Sequence, residues 1–390
     1  MACFEVINVG QGDSMILRPH DGCTFSGETI FIDLGPGNHD ITAGISSGEN
    51  VHIFLTHHDN DHLGGLRFFI GKMQQVSEIT VPLYQNEITL IARAILNLKG
   101  INTASDCNEF TKALEEIVNN QVLIKTLVEG TGTCPKLSFA YENKDFCNHI
   151  VCLNPPMLID SYDWIREANE VDLINMMKEL FTITFAREME IYIRANRGMH
   201  RIVDSREFNS FWLYMQEGDV EIYRAKCNYV LDFIISNIGL LRKFNNKSTR
   251  ENLKEVYKNY VKCTHDVCIV LKTSFENETM LHTGDASKKV FKRLMQEGKD
   301  ISASYLKMPH HGSNHNMNKK ILEEINPKVA IISHNNGRFG KAKDPHPNKE
   351  VLNMLQSKNI KILITNDIIK EGIIVMEKNK HKKDFYVNIL

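Results

Sequence analysis

Residues 51–66, with the sequence VHIFLTHHDNDHLGGL, constrain the fold and the chemistry of this chain more than any other stretch. The apolar run from Val51 to Thr56 predicts a short buried strand. Glycines soon after it allow a tight turn into a helix, and the ionisable side chains between strand and turn are His57, His58, Asp59, Asp61 and His62. Carboxylates and imidazoles crowded at a strand end repel and desolvate each other unless a cation lies among them, and zinc, manganese or iron prefers this mixture. The stretch therefore predicts a metal site rather than a polar surface turn.

The spacing of these side chains is H-x-D-x-D-H, preceded by a strand and followed by glycines. It resembles the H-x-[HED]-x-D-H signature of the metallo-β-lactamase fold hydrolases. The resemblance implies that the metal ligands of this loop are His57, Asp59, Asp61 and His62. Two ions about 3.5–4 Å apart can divide such a set and share a hydroxide. We therefore expect two divalent metal ions, zinc or manganese, as cofactors.

Two segments near the start of the chain make the resemblance narrower. Residues 7–17 read INVGQGDSMIL and residues 30–37 read IFIDLGPG. They are similar to the hydrolase domain of the DNA-uptake competence protein ComEC and its free-standing soluble relatives, whose domains open with VGQGDS. In such folds the residue at the position of Asp33 usually orients the metal loop by hydrogen bonding. The GQGDS sequence is also typical of a hairpin turn, and both interpretations can hold.

The resemblance extends to two later segments, LHTGDAS at residues 281–287 and LKMPHHGSNH at residues 306–315. It implies that Asp285 bridges both metal ions, because a bridging carboxylate offsets part of their repulsion. One of His310 and His311 is expected to bind metal, and the other to donate to a phosphoryl oxygen or to support a ligand. The sequence does not distinguish them; we place His310 among the ligands and give His311 a catalytic role. Candidate substrate contacts are Lys307, as a phosphate counter-charge, Ser313 and His315, although a capped loop explains Ser313 equally well.

A late histidine and a missing one complete the sequence picture of the site. His346, in DPHPNKEVL before a predicted helix, matches the late histidine of the family, and His334 is a weaker candidate. Many enzymes of this fold supply a third histidine near the end of the first half. Here the histidines between His62 and Asp285 are His149, His200, His265 and His282, and none has a matching context. His149, before a predicted strand, is the best choice, and without this ligand the first metal ion is expected to bind loosely or to be loaded only with substrate.

The order of predicted elements indicates an α/β fold. We expect a four-layer αββα metallo-β-lactamase sandwich, with halves at residues 1–156 and 263–390 and a mainly helical insertion at 157–262. Within the first half, Gln121 to Val128 is read as a strand. Basic and aromatic residues interleave from Arg242 to Lys262. They could track phosphates, although a solvated helix with its own glutamates is the simpler interpretation. The insertion could also bind a partner protein.

Composition sets limits on location and partners. The chain has 390 residues, 42% apolar and 24% charged, as is usual for a soluble globular protein. No apolar run approaches the roughly 18 residues of a membrane span, and the N-terminus lacks the features of a signal peptide. The nine cysteines form no C-x-x-C pair, which is typical of reduced cytosolic thiols. We expect a cytoplasmic protein without a membrane partner, and at a net charge of −2 any nucleic-acid contact must come from local patches.

These observations favour a metal-dependent nuclease or phosphodiesterase, with nucleic acid as substrate. Two divalent ions lower the pKa of a shared water toward about 7 and stabilise the entering and leaving oxygens. The fold alone does not select the substrate, but ComEC-type domains are linked to DNA degradation during uptake. We assign catalytic roles to Asp61, His311 and His346, and an effector in a defence system is one setting for such an enzyme. The alternatives are hydrolysis of a lactone, thioester or β-lactam, and a non-catalytic binding protein whose metals hold the loops.

Overall fold

The computed structural model describes residues 3–19, 23–38, 40–100, 108–129, 135–147, 149–157, 168–196, 217–247, 250–275, 278–334, 346–365, 374–378 and 385–389. The chain divides into two compact units. The first comprises Met1–Leu83, Asn120–Pro155 and His265–Leu390, and the second comprises Tyr84–Asn119 and Pro156–Thr264. The second unit therefore contains the whole of the predicted insertion, 157–262, together with residues 84–119, which were predicted to belong to the first half.

The first sheet of the first unit is mixed. Its strands are β1 (Cys3–Ile7), β2 (Ser14–Arg18), β3 (Glu28–Leu34), β4 (Asn50–Phe54), β5 (Val76–Pro82), β6 (Lys136–Ala140), β14 (Ile374–Lys378) and β15 (Phe385–Ile389). In the described residues their order is β14-β15-β1-β2-β3-β4-β5-β6. Strands β3 to β6 are parallel, with Phe31 opposite Ile53, and the remaining pairs are antiparallel. The parallel run places Asp33 near the end of β3 at the same sheet edge as the loop after β4.

The second sheet has the same mixed character. Its strands are β7 (Asp145–Cys147), β8 (Ile150–Asn154), β9 (Val270–Phe275), β10 (Glu278–His282), β11 (Tyr305–Lys307), β12 (Val329–Ile332) and β13 (Lys361–Ile364). Within the described chain the order is β13-β12-β11-β10-β9-β8-β7. Strands β10 to β13 are parallel, and β7 to β10 are antiparallel. The carboxyl ends of β10, β11 and β12 therefore meet at one edge, where Asp285, the His310–His311 pair and His334 follow.

Helices connect the parallel strands. The helical segments of the first unit are Ile41–Gly44, Asn60–Leu63, Gly64–Gln75, the second part of Asn108–Glu129, Lys288–Gln296, Pro309–Gly312, Lys319–Ile325 and Lys349–Ser357. Four of them begin after a polar residue whose side chain accepts a hydrogen bond from a free backbone N–H of the first turn. These residues are Asp40, Ser287, Asn318 and Asn348.

Three buried apolar clusters hold the first unit together. One contains side chains of both sheets, such as Ile32 and Phe54 from the first and Leu271 from the second. A second packs the other sheet against the helices after β10, β11 and β12. The third packs the first sheet against the segment Gly64–Gln75. Each fully buried aliphatic or aromatic side chain stabilises the fold by about 1.5–3 kcal/mol relative to an exposed one. Because the three clusters cover both faces of each sheet, burial on both faces stabilises the unit.

One secondary-structure prediction was wrong. Gln121 to Val128, read as a strand, lies in the helix Asn108–Glu129. Ile124 and Leu127 are buried three positions apart, whereas Val122 is 49% exposed. This is the spacing of a helix face and not the alternation of a strand, so packing overrides the β propensity of the branched residues.

The second unit is helical. Its helices are Gln85–Gly100, the first part of Asn108–Glu129, Glu170–Leu180, Ile183–Asn196, Glu217–Lys247 and most of Arg250–Asp266. Tyr260, from the basic and aromatic stretch, is 1% exposed, and the ring of Tyr257 lies 4.8 Å from that of Phe110. Packing within the unit therefore occupies two of the rings that could have stacked on bases. In the part of the chain that the structure describes, no helix has the length and apolarity of a membrane span.

Candidate metal centre

The predicted site residues lie on loops that follow strands. The segment after β4 enters the short helix Asn60–Leu63, which carries His62. Asp285 comes three residues after the end of β10, and the turn Pro309–Gly312 follows β11. His265 lies in the last turn of the helix Arg250–Asp266. Side chains on short loops at strand ends are held by the rigid sheet below them.

Asp285 lies at the centre of this group, and its two carboxylate oxygens face different imidazoles. Oδ1 is 3.3 Å from His62 Nε2. Oδ2 is 3.7 Å from His57 Nε2, 3.6 Å from His310 Nε2 and 4.0 Å from His265 Nε2. The side chain of Asp285 is 3% exposed. A carboxylate placed in this way can contact two separate cations.

The ligand atoms form two sets, one of which includes Asp285, and within each set all atoms lie within 4.8 Å of one another. The first set is His57, Asp59, His265 and Asp285; the second is Asp61, His62 and His311. A third such group consists of Asp13, Asp33 and His62. Its carboxylates already have other partners, because the Lys307 ammonium contacts Asp13 and Asp33 accepts hydrogen bonds. The first two sets are therefore the candidates for holding metal ions.

The hydrogen bonds of His62 and His311 fix which ring nitrogen carries a proton. His62 Nδ1–H donates to Asp33 Oδ2 (2.7 Å), and His311 Nδ1–H donates to the carbonyl oxygen of Ser333 (2.9 Å). Both partners only accept, so Nδ1 must be protonated. The Nε2 lone pairs then point at carboxylate oxygens, since His311 Nε2 lies 3.0 Å from Asp61 Oδ2. Lone pairs facing each other at this distance require a cation between them, either a proton or a metal ion.

His57 is oriented through Thr56. The Thr56 hydroxyl donates to Asp33 Oδ2 (2.7 Å), so its oxygen is free to accept from His57 Nδ1–H at 3.1 Å. Asp33 thus orients His62 directly and His57 indirectly, as the sequence analysis expected of this position. Gly284, at φ +46°, closes the other side, where a Cβ would lie 2.6 Å from both Cys268 Sγ and Thr56 Oγ1. Only glycine lets these segments approach so closely.

The electrostatics of the cluster favour a positive charge inside it. Burial would raise the pKa of the Asp285 carboxyl, but the neighbouring His310 and His62 hold that pKa well below its usual range. Burial would lower the pKa of His62, and the carboxylates of Asp285 and Asp33 outweigh burial and raise it. For His310, burial dominates and lowers the pKa to about 4. Anionic carboxylates and an imidazole that resists protonation are the states in which these groups bind metal.

The donor set fits divalent metal ions. Among the described residues, four buried atoms of the cluster have no hydrogen-bond partner: His57 Nε2, His62 Nε2, His265 Nε2 and Asp285 Oδ1. Leaving a buried polar atom unpaired costs about 1–3 kcal/mol, and these four converge on the same space. Imidazole nitrogen with carboxylate oxygen is the donor mixture of zinc and manganese sites. The residues therefore fit the metal that the sequence predicted, while the number and identity of the ions remain predictions.

The GQGDS segment packs under the metal loop. A Cβ at Gly12, where φ is +135°, would lie 2.3 Å from the Asp61 carbonyl oxygen, which accepts from Asp13 N–H. Asp13 is fully buried and its Oδ2 lies 2.5 Å from Lys307 Nζ, which also donates to the Met308 carbonyl. Lys307 is itself 0% exposed. Its charge is therefore buried against Asp13, and its role as a phosphate counter-charge remains a prediction.

Replacing Lys307 with Met is expected to lower the free energy of unfolding by about 3–5 kcal/mol, because it leaves the Asp13 carboxylate buried without a counter-ion. Urea unfolding followed by circular dichroism measures this. The double variant Asp13→Asn/Lys307→Met should lose less than the single one, since no buried charge is left. Lys272→Met is the control, because its partner Asp300 is 74% exposed and the loss should stay below about 1 kcal/mol. A Lys307→Met protein as stable as the control would contradict the buried pair.

The structure places the other predicted substrate contacts around the His310 loop. The Ser313 hydroxyl is buried and accepts from His315 N–H (3.2 Å), so it caps the turn, which was the alternative explanation. His315 is exposed beside Lys319 and Glu350. His346 lies with its ring centroid 4.9 Å from that of His310, and its side chain joins the cluster. The role of each toward substrate remains a prediction.

The histidine that sequence reasoning missed is His265. His149, chosen instead, has Nδ1 2.9 Å from the Ser274 carbonyl between strands β8 and β9 and belongs to neither ligand set. His265 Nε2 lies 3.6 Å from Asp59 Oδ2 and in the first set. The sequence indicated this ligand only weakly, because His265 follows the predicted insertion instead of ending the first half. Only its position just before β9, the first of the two strands that precede Asp285, could have suggested it.

Comparisons with known proteins agree with the narrower resemblance over a limited region. No protein-family model matches the chain. The ComE operon protein 3 of Bacillus subtilis is 35% identical to it over 85 residues, which are 22% of this chain and 10% of that protein. The chain therefore spans only a small part of that relative. The match is partial, and with the His/Asp cluster it is compatible with a metal-dependent hydrolase.

Proposed function

We propose that this protein is a metal-dependent hydrolase that cleaves phosphodiester bonds of nucleic acid, built on a four-layer metallo-β-lactamase sandwich. The observation that carries the proposal is the position of Asp285 between two sets of ligand atoms. The apolar clusters between the two sheets and on their outer faces support the four layers. The partial likeness to ComE operon protein 3 and the ComEC-type motifs support the nucleic-acid substrate.

In this proposal some site residues are metal ligands and others face the substrate. His57, Asp59 and His265 would hold one ion, Asp61, His62 and His311 the other, and Asp285 both. Two such ions supply an activated water and polarise the attacked phosphoryl group. This assignment moves His311 from a catalytic role to the ligands, because its Nε2 faces Asp61. It leaves His346 to border the substrate side, where it can orient an oxygen of the scissile group, while His310 stays among the predicted ligands, with its Nε2 3.6 Å from Asp285 Oδ2.

Cleavage assays test the proposal. The metal-loaded protein is incubated with single-stranded DNA, duplex DNA and RNA in separate zinc, manganese and magnesium buffers, beside His62→Ala. We expect cleavage that needs metal and is lost in His62→Ala, since this variant removes a ligand of the second set. Ring-opening of lactones and hydrolysis of thioesters are assayed in parallel. Turnover of these carbonyl compounds without nucleic-acid cleavage would overturn the phosphodiester assignment, and nuclease activity unchanged in His62→Ala would overturn the site.

A further inference from the structure

His310 differs from the other imidazoles around Asp285 in its exposure and in its support. Its side chain is 26% exposed, against 0% for His57 and His62 and 8% for His265. It sits at φ +47° in the Pro309–Gly312 turn, where its N–H donates to the Gly284 carbonyl (3.1 Å). A side chain on such a turn has room to rotate. A hydrogen bond to the ring is therefore needed to fix its orientation and the direction of its nitrogens.

Asn316 provides this support. Its amide Nδ2 donates two hydrogen bonds, to the carbonyl oxygens of Asp285 (3.0 Å) and Ala286 (3.0 Å). Backbone carbonyls only accept, so the amide nitrogen must face them. The amide oxygen is then left to face His310, and Asn316 Oδ1 lies 3.1 Å from His310 Nδ1. Asn316 is 3% exposed, so water does not compete for these bonds.

The orientation of the amide determines the tautomer of the imidazole. An amide oxygen only accepts, so His310 Nδ1 carries the hydrogen of this bond. In the neutral ring Nε2 then has a lone pair, and it is directed at Asp285 Oδ2, 3.6 Å away. In this tautomer the ring cannot donate a hydrogen bond from Nε2 to a phosphoryl oxygen.

We propose that Asn316 is a positioning residue that holds His310 in the Nδ1-protonated tautomer, so that His310 serves the centre as an electron-pair donor to a divalent cation. The inference rests on the proposed metal-dependent function and deepens it. It gives His310, like His62 and His311, a hydrogen-bond acceptor at Nδ1 and a bare Nε2 at the centre. Such partners of a metal-binding imidazole typically change metal affinity by about 10–100-fold.

Two substitutions separate this role from a merely structural one. Asn316→Leu removes both the acceptor for His310 and the donors to the two carbonyls. Asn316→Asp keeps an acceptor for His310 Nδ1–H, but its carboxylate donates to neither of the carbonyls of Asp285 and Ala286. If the tautomer is what matters, the Asp variant should retain metal binding; if only the tie to the backbone matters, both variants should lose it equally.

Zinc and manganese affinities are measured by isothermal titration calorimetry on the full chain. Relative to the parent protein, we expect about a 10–100-fold weaker affinity in Asn316→Leu and a change of no more than about threefold in Asn316→Asp. The matched control is Asn314→Leu in the same loop, whose amide donates to Glu350 Oε2 (3.2 Å); it should bind as the parent does. Equal losses in the Leu and Asp variants would overturn the proposal.

A second measurement observes the tautomer of His310 in the parent protein itself. Nitrogen-15 spectra of the imidazole rings in the parent protein, assigned with a His310→Gln variant, should show a protonated Nδ1 and an unprotonated Nε2 for His310. A protonated Nε2 would overturn the inference even if metal binds. Failure of the parent protein to bind either metal would instead refute the proposed function, so the two failures are distinguishable.

Discussion

Asp285→Asn is expected to lower the metal-dependent cleavage rate by about 10³-fold, which corresponds to about 4 kcal/mol of transition-state stabilisation. The amide has the size of the carboxylate but lacks its charge. Asp285 Oδ1 faces His62, and Asp285 Oδ2 faces His57. Its replacement therefore weakens both proposed ion sites at once, whereas loss of any other ligand in the two sets affects one.

Rates are compared under saturating manganese and zinc, with folding verified by circular dichroism. The control is Asp300→Asn, since this exposed carboxylate pairs with Lys272 and belongs to neither ligand set. It should cleave as the parent protein does. The central position of Asp285 would be refuted if Asp285→Asn bound the parent amount of metal and retained more than about a tenth of its rate.

His265→Ala should have the second largest effect, and it tests the residue that the sequence did not identify. His265 Nε2 is buried without a hydrogen-bond partner in the described structure and lies 3.6 Å from Asp59 Oδ2. Removing it leaves the first set with one imidazole and two carboxylates. We expect the metal content to fall toward one ion per chain and the cleavage rate to fall by at least about 10²-fold, or about 2.7 kcal/mol.

Metal content is measured by inductively coupled plasma mass spectrometry after dialysis against trace zinc or manganese. His149→Ala is the matched control, because it removes an imidazole that belongs to neither ligand set and whose Nδ1 lies 2.9 Å from the Ser274 carbonyl oxygen in β9. Its metal content and rate should equal those of the parent. The reverse result, with His149→Ala losing metal and His265→Ala keeping it, would restore the assignment made from sequence position.

Sequence alone determined the local parts of this protein. The strand before His57, the glycines after His62 and the polar residues that cap the helices act over a few neighbours, so their spacing carries the information. The same holds for the composition of the cluster, because imidazole and carboxylate crowded at a strand end already demand a cation. Gln121 to Val128 shows the limit of this reasoning, since branched residues suit a strand but their burial follows a helix.

Only the tertiary structure decided which distant groups meet. His265 reaches Asp59 across about two hundred residues of chain, and Asp13 reaches Lys307 across nearly three hundred, through sheet pairings that no local pattern records. The same packing buries Lys307, expected as a phosphate contact, against Asp13, and it gives the Nδ1 atoms of His310 and His311 different acceptors, Asn316 Oδ1 and the Ser333 carbonyl oxygen. Residue type determines which chemical groups are available. The fold determines which of them are buried and which charges lie close together, and both desolvation and Coulomb attraction depend on that placement.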